Sequence, residues 1–357
     1  MNEIETHHTE QDTISKLLAK AVTQMEEAIN QPSGVTGVPS GLTSLDRITG
    51  GWQKSNLVII AARPAMGKTA LVLTMARNAA VEFNMPVLFF TLEMSSLQVV
   101  NRLISAEAEL TQDKIRKGQI RDDEFVQLNE HIKKLATAPF FIDDTPALSV
   151  TDLSTKARNL KESSDIQLIV IDYLQLMKSG MDENGGNREQ EISYISRSLK
   201  SLAKELGLPI IAVSQLSRDV EKRNSKRPQL SDLRDSGALE QDADMVAFIY
   251  RPEYYGLDVF EDNEQSRGIA EISIAKNRHG SIAQPRVKFV GQFAKFADYV
   301  QGAKDIYSQT SSLEPHNDFL AKPSNAKTVQ SKGWNTVEDD TKDIVKENPN
   351  HDIEDPF

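Results

Sequence analysis

Asn56-Leu-Val-Ile-Ile-Ala-Ala62 runs directly into Arg63-Pro-Ala-Met-Gly67-Lys68-Thr69, and a helical pattern follows over 68–83. An unbroken apolar run bounded by a Pro/Gly turn is the pattern of a strand buried on both faces. Strand, glycine-bearing loop and helix start, in that order, form a cradle for an anion. Loop amides and the first-turn N–H groups point at phosphate oxygens. Lys68 is placed to reach the β/γ-phosphates of a nucleotide, and Thr69 to offer its hydroxyl to Mg²⁺. The expected ligand is therefore a nucleoside triphosphate with Mg²⁺, held along Arg63, Pro64, Ala65, Met66, Gly67, Lys68, Thr69 and Ala70. Ala62 stands where the general pattern has its first glycine. The bland alternative, a chance Gly-Lys-Thr at a helix start, does not account for both flanks.

Working outward, apolar runs alternate with helical patterns across 41–300, the signature of a mainly parallel sheet with helices on its faces. Strands are predicted at 56–62, 86–91, 168–172, 209–214, 244–250 and 269–275, with a β-rich stretch over 285–299. Helices are predicted at 68–83, 95–107, 121–136, 151–163 and 189–206. Three strands end in polar residues. Leu168-Ile-Val-Ile-Asp172 ends in a carboxylate about a hundred residues after the phosphate loop, the place of a group that holds Mg²⁺ through water. Val87 to Thr91 is followed by Glu93, read either as the base that orients an attacking water or as an acid at a helix N-terminus beside Ser95 and Ser96. Pro209-Ile-Ile-Ala-Val-Ser-Gln215 ends in a neutral residue, either a γ-phosphate sensor or an ordinary surface glutamine.

The flanks differ in character. Ile14, Leu17, Leu18, Ala21, Val22, Met25 and Ile29 fall at helical spacing over 13–30, with Thr13 at the cap position. A Pro/Gly/Ser linker covers 31–40. Residues 1–12 and 301–357 are polar and read as disordered. The net charge of −11 divides as −4 over 1–40, −5 over 301–357 and −2 over 41–300. The acidity thus lies mostly in the flanks, and a near-neutral core can still carry a local basic channel. There are no cysteines, which excludes disulfides and thiolate zinc modules and fits a reducing cytoplasm. No apolar run is long enough to span a bilayer, and Met1 to Gln11 does not read as a signal peptide.

Several further stretches complete a set. They are Gly37-Val-Pro-Ser-Gly-Leu-Thr-Ser-Leu-Asp46, Leu92-Glu-Met-Ser95, Ile171-Asp-Tyr-Leu-Gln-Leu176 and Ser214-Gln-Leu-Ser-Arg218. Lys226-Arg-Pro-Gln-Leu-Ser-Asp-Leu-Arg-Asp-Ser-Gly237, Glu240-Gln-Asp-Ala-Asp244 and Lys276-Asn-Arg-His-Gly280 follow. With the phosphate loop, and in this order, they resemble the DnaB-type replicative helicases over about residues 13–299. Recombinase and circadian-clock ATPases share the phosphate-loop logic but not this set. The resemblance implies an α/β fold: a RecA-like P-loop NTPase core with a mainly parallel central sheet flanked by helices, preceded by a linker helix and followed by a disordered acidic tail. Ala in place of the first glycine is common in RecA-like ATPases.

It also implies roles. Glu93, Lys68 and Gln215 would act in catalysis, and Thr69 and Asp172 would hold Mg²⁺. Arg278, with Lys276, matches a finger that reaches a neighbour's γ-phosphate; the alternative is a pair of strand-end surface charges. Arg234, Asp235 and Gly237 match a channel-lining loop that holds DNA phosphates, with Asp235 standing where many relatives have Glu. The basic run Arg218 to Arg227 is read either as a DNA contact or as a solvated loop, and Lys178 to Arg188 as a second channel loop. Helix 13–30 matches a linker helix that docks on the adjacent subunit, as against one packed on its own domain. The implied activity is ATP-driven translocation of a homohexamer on single-stranded DNA, 5′→3′, unwinding duplex at the fork, in the cytoplasm and at the nucleoid. The other class of reading is a non-unwinding, ATP-gated ring that binds single strands and recruits partners. Relatives carry a helical collar domain that binds primase, but only residues 1–12 precede the helix here, so a naturally short or truncated version is expected. Primase and a helicase loader remain implied partners, without the collar route. His351-Asp-Ile-Glu-Asp-Pro-Phe357 resembles the acidic, Pro-Phe-ending tip of bacterial single-stranded-DNA-binding proteins. It is read as an anchor for proteins that recognise such tips, or as a solubilising tail.

Overall fold

The structure is a computed structural model that describes residues 13–30, 34–179, 188–233 and 237–300. Its strands are β1 (Leu57–Ala62), β2 (Val87–Thr91), β3 (Phe140–Asp143), β4 (Leu168–Asp172), β5 (Ile210–Gln215), β6 (Met245–Tyr250), β7 (Ile269–Asn277), β8 (Arg286–Val290) and β9 (Lys295–Asp298). The helices are α1 (Ile14–Ile29), α2 (Thr43–Thr49), α3 (Lys68–Val81), α4 (Ser96–Ala108), α5 (Gln112–Lys117), α6 (Asp122–Thr137), α7 (Val150–Ser164), α8 (Arg188–Leu206) and α9 (Gly237–Asp242).

One nine-stranded sheet has the order β3-β2-β4-β5-β1-β6-β7-β8-β9. The pairs from β3 to β6 are parallel, and β7, β8 and β9 close one side as an antiparallel meander. This is the mainly parallel α/β architecture expected from the sequence. β1 lies between β5 and β6, and all six of its residues are buried. Successive strand residues point to opposite faces. Val58, Ile60 and Ala62 join a core with Leu71, Met75 and Ala79 of α3 and Leu103 of α4. Leu57, Ile59 and Ala61 join a second core with Leu153 of α7 and Ile195 and Leu199 of α8. The two cores hold β1 rigidly, so the loop at its C-terminal end starts from a fixed point.

The differences from the sequence reading have simple causes. β3 is absent from that reading; it is a four-residue edge strand, too short to show a period. The stretch over 285–299 is two strands joined by a 3₁₀ turn at Gly291–Phe293. α2, α5 and α9 have seven, six and six residues, fewer than the spacing of a helix needs to become visible. Within the linker stretch, residues 34–40 lie against the domain. Val38 pairs with Trp52, and Asp46 accepts hydrogen bonds from Ser40 N at 2.8 Å and Gly41 N at 3.0 Å. Ile14, Leu17, Leu18, Val22, Met25 and Ile29 of α1 are all exposed. Thr13 occupies the cap position, but its side chain makes no capping bond. The expectations for residues 1–12 and 301–357, including the Pro-Phe tip, lie outside the described residues.

Candidate active site

Ala62 is the last residue of β1 and pairs in register with Gln215. It is a fully buried strand residue, so the chain has no use there for the glycine of the general pattern. Gly67 has φ +97°, in the region that disfavours side chains, and a Cβ there would lie 3.2 Å from the rings of Phe289 and Phe296. The loop therefore needs glycine at the one position where it turns into α3. Lys68 opens α3, and its Nζ donates to the Arg63 carbonyl at 3.3 Å. Burial lowers its pKa, while Asp172 and Glu93 act in the opposite direction. Met66 is buried and anchors the loop; Pro64 and Ala65 are exposed at its tip.

Asp172 ends β4 and is only 2% exposed. Burial raises its pKa, and the nearby charge of Glu93 adds to this; a hydrogen bond from Thr69 and the charge of Lys68 oppose it. Thr69 and Asp172 thus share one spot beside the lysine. No group of three or more His, Cys, Asp or Glu suited to a metal occurs among the described residues. Two protein oxygens fit a hard cation of the Mg²⁺ type, whose shell is completed by water and phosphate rather than by a protein cage.

Glu93 is exposed two residues beyond β2. The N-terminus of α4 is satisfied without it. Ser95 and Gln98 cap each other, and Asp144 accepts from Ser96 N at 2.7 Å. Glu93 takes no part in that capping and stands as an exposed acid just before α4. A cavity of about 560 Å³ is lined by Pro64, Ala65, Gly67, Lys68, Thr69, Ala70, Glu93 and Gln215. Gln215 also borders a second cavity of about 470 Å³, which includes Arg63, Arg188, Arg218 and Asp232. Its main chain is fixed by Gln175, which accepts from Gln215 N at 3.4 Å and donates to Ser214 Oγ at 2.8 Å.

Arg278 and Lys276 do not join that cavity. They lie at the far end of β7, which runs antiparallel to β6. Arg278 Nη1 lies 3.4 Å from Asp244 Oδ1, and its Nη2 donates to the Gln241 carbonyl. Asp244 Oδ2 in turn accepts from Leu57 N at 2.8 Å, at the start of β1. Lys68 lies beyond the other end of that strand, about 20 Å away for six extended residues. Lys276 donates to the Glu240 and Gln241 carbonyls at the end of α9; burial, then the charge of Arg278, lowers its pKa. Gly237 begins α9, whereas Arg234, Asp235 and residues 180–187 lie outside the described residues. The basic run 218–227 is largely paired internally. Arg223 contacts Asp232, Arg227 contacts Glu271 and Glu261, and Lys222 contacts Asp219.

Other cavity residues carry little or no signal in the sequence. Tyr173 follows Asp172 directly, and that adjacency is the signal it offers. Arg102 and Gln112 come from α4 and α5. Phe289 near the end of β8, and Gly291, Gln292 and Ala294 of the β8–β9 connection, lie more than two hundred residues from the phosphate loop, with no spacing to mark them. The Arg251 guanidinium lies 3.9 Å from the centre of the Phe289 ring and 3.4 Å from the Ala65 carbonyl, bracing that wall against the loop.

Residues 37–298 match the family model of the DnaB-like helicase C terminal domain. The chain is 44% identical over 285 residues to the replicative DNA helicase DnaB of Geobacillus stearothermophilus, covering 80% of this chain and 62% of that one. It is 46% identical over 269 residues to the DnaB of Haemophilus influenzae, covering 74% and 56%. The chain thus spans less than two thirds of the length of these relatives. Among solved structures, an isolated ATPase domain superposes with a TM-score of 0.75 at 37% identity, over 82% of this chain and 100% of that one. A DnaB-like replicative helicase, described with its interactions with primase, gives 0.72 at 37% identity, over 82% and 68%.

Proposed function

The chain belongs to the DnaB-like helicase C-terminal domain family, and from that premise we propose that it is the ATP-driven motor of a hexameric replicative DNA helicase. The observation that carries this reading is a divided site. One cavity at the C-terminal end of β1 gathers Lys68, Thr69, Glu93 and Gln215, while Arg278 lies at the opposite end of the strands, beside the start of β1. A phosphate site at one end of the strands and an arginine at the other are brought together by head-to-tail assembly.

In this assembly the loop amides from Ala65 to Ala70 hold the phosphates of ATP and Lys68 reaches the β/γ oxygens. Thr69 and Asp172 hold Mg²⁺, which neutralises charge on the phosphate oxygens when bound. Glu93 orients the attacking water, and Arg278 of the partner subunit faces the charge that develops on the transferred group. Gln215, at the border of two cavities, senses whether the γ-phosphate is present. Arg234, Asp235 and Gly237 hold single-stranded DNA through its phosphates, a contact without sequence code that suits a translocating motor. The exposed apolar stripe of α1 supports docking on an adjacent copy. Translocation is 5′→3′, with primase, a loader and readers of the tail tip as further partners. The place of action is the cytoplasm, at the nucleoid; among the described residues no helix is long and apolar enough to cross a membrane.

A forked-duplex unwinding assay tests the proposal, run at protein concentrations where light scattering confirms a hexamer. Strand separation with ATP, absent for Lys68→Ala, is the expected result. DNA-stimulated hydrolysis without strand separation would favour the non-unwinding ring instead.

A further inference from the structure

Arg63 faces two ways. Its main-chain carbonyl accepts from Lys68 Nζ at 3.3 Å and from Met66 N at 3.4 Å, inside the phosphate loop. Its side chain leaves the loop and crosses to the segment after β5. There Nη1 donates to the Leu216 carbonyl at 2.8 Å, and Nε donates to Glu221 at 2.9 Å. Leu216 N donates back to the Ala62 carbonyl at 3.2 Å, so residues 62–63 and 216 are laced together from both sides. The Arg63 side chain is 8% exposed and Glu221 40%, so the guanidinium is held in a buried seat with its counter-charge reaching in from the surface.

The segment it grips is connected onward. Ser217 N donates to the Asp232 carbonyl at 3.1 Å, and Asp232 also takes a hydrogen bond from Gln229 N at 2.7 Å and pairs with Arg223. Leu216, Val220 and Leu233 are buried in one core. Leu233 immediately precedes residue 234 in the sequence. A continuous series of hydrogen bonds and packed side chains therefore runs from the phosphate loop through 216–222 to 230–233. It does not pass through the Gln215 side chain.

We propose that Arg63 is a positioning residue that transmits phosphate-loop occupancy to residues 216–233, with Glu221 as the counter-charge that fixes its guanidinium. When Lys68 turns to a bound phosphate, it releases the Arg63 carbonyl. The loop and the guanidinium then shift together, because both belong to one residue. A lysine at position 63 keeps the charge but cannot hold two partners in a planar, two-pronged grip. The inference rests on the nucleotide-binding part of the proposed function and not on unwinding.

Hydrogen exchange on the full chain tests it, with and without ATPγS and Mg²⁺, and with no DNA present. In the wild type, nucleotide should slow amide exchange at 216–222 and 230–233 by about threefold or more, the scale of a modest local stabilisation. Glu221→Ala should bind ATPγS within about threefold of wild type yet lose most of that response; Glu221→Gln, which keeps an acceptor for Nε, should recover much of it. Arg63→Lys should lose the response as Glu221→Ala does. The inference is overturned if Glu221→Ala keeps the full response at 230–233. It is equally overturned if the wild type binds nucleotide with no change there, or if Glu221→Ala raises exchange uniformly across the domain without nucleotide. A wild type that responds as described but unwinds no fork leaves this inference standing and removes the helicase proposal.

Discussion

Lys68 donates its ammonium to the Arg63 carbonyl, five residues back in its own loop, at 3.3 Å. The loop thus closes on its own cation, beside the carboxylates of Asp172 and Glu93. Phosphate oxygens are a better partner than a neutral carbonyl, so on the proposed function the lysine that here holds the loop would turn to the nucleotide when it binds. Lys68→Ala is expected to lower turnover by at least about 10²–10³-fold, as loss of a preorganised charge donor does. Steady-state phosphate release in the DNA-bound ring measures it.

Glu93 lies outside the capping network of α4 and borders the cavity. Glu93→Gln keeps the shape and removes the carboxylate, the proposed base. We expect ATP binding within about threefold of wild type and turnover reduced about 10²–10⁴-fold, the range of general-base loss. A trapped, ATP-loaded ring by rapid filtration is the signature; turnover near wild type would return Glu93 to a surface role.

Asp172 has a pKa raised chiefly by burial. The sign follows. A carboxylic acid whose folded pKa lies above the unfolded value disfavours folding in its ionised form. This cost is absent below the ordinary value of 3.8 and complete once pH exceeds the raised folded value. Asp172→Asn is therefore expected to raise the Tm of the nucleotide-free protein at pH 7, with the gain shrinking as pH falls towards the ordinary carboxylate range. With Mg²⁺ and ATPγS the order should reverse, because the wild type alone keeps the carboxylate for the cation. Thermal melts from mildly acid to neutral pH, with and without Mg²⁺–nucleotide, check both halves.

Arg278→Ala should leave nucleotide affinity within about threefold but cut turnover in the ring by about 10³-fold or more, the range for a trans-acting arginine. The sharper test mixes two inactive variants. Rings containing both Arg278→Ala and Lys68→Ala copies hold some interfaces with an intact phosphate loop on one side and an intact arginine on the other. Recovered hydrolysis in mixed rings supports the trans role; wild-type rates in pure Arg278→Ala rings refute it.

Leu18 and Met25 of α1 are 59% and 64% exposed. Replacing both with Asp removes little from the chain's own cores, so the domain's Tm should change by less than about 2 °C. Hexamer formation, read by multi-angle light scattering, should weaken by about tenfold or more, because burying a charge without a partner in an apolar contact is costly.

Much of this site is legible because its parts are contiguous in sequence. The phosphate loop is one stretch, and Asp172 and Gln215 each end an apolar strand. Gly67 is marked by its motif, though the reason only glycine fits, the rings of Phe289 and Phe296 behind it, comes from the far end of the domain. The wall built by Phe289, Gly291, Gln292 and Ala294 is not legible, because sheet order rather than sequence spacing delivers it. β3 escapes notice because four residues carry no period. The basic run 218–227 looks free in sequence. Glu261 and Glu271 lie too far along the chain to be recognised as its partners, and Asp232 meets Arg223 only through the fold of the intervening turn.

Asp244 accepts from Leu57 N, pairs with Lys200 and lies 3.4 Å from Arg278, all at the edge where β1 begins. The phosphate loop leaves the other end of that strand. In a head-to-tail ring, β1 is then a push-rod: one end bears on a subunit's own nucleotide, the other on the arginine offered to the next. Six residues packed on both faces would carry a displacement at one end of the strand to the other. On the proposed assembly, an open arc of such subunits would carry one phosphate loop that no arginine reaches, and closing the ring would engage it.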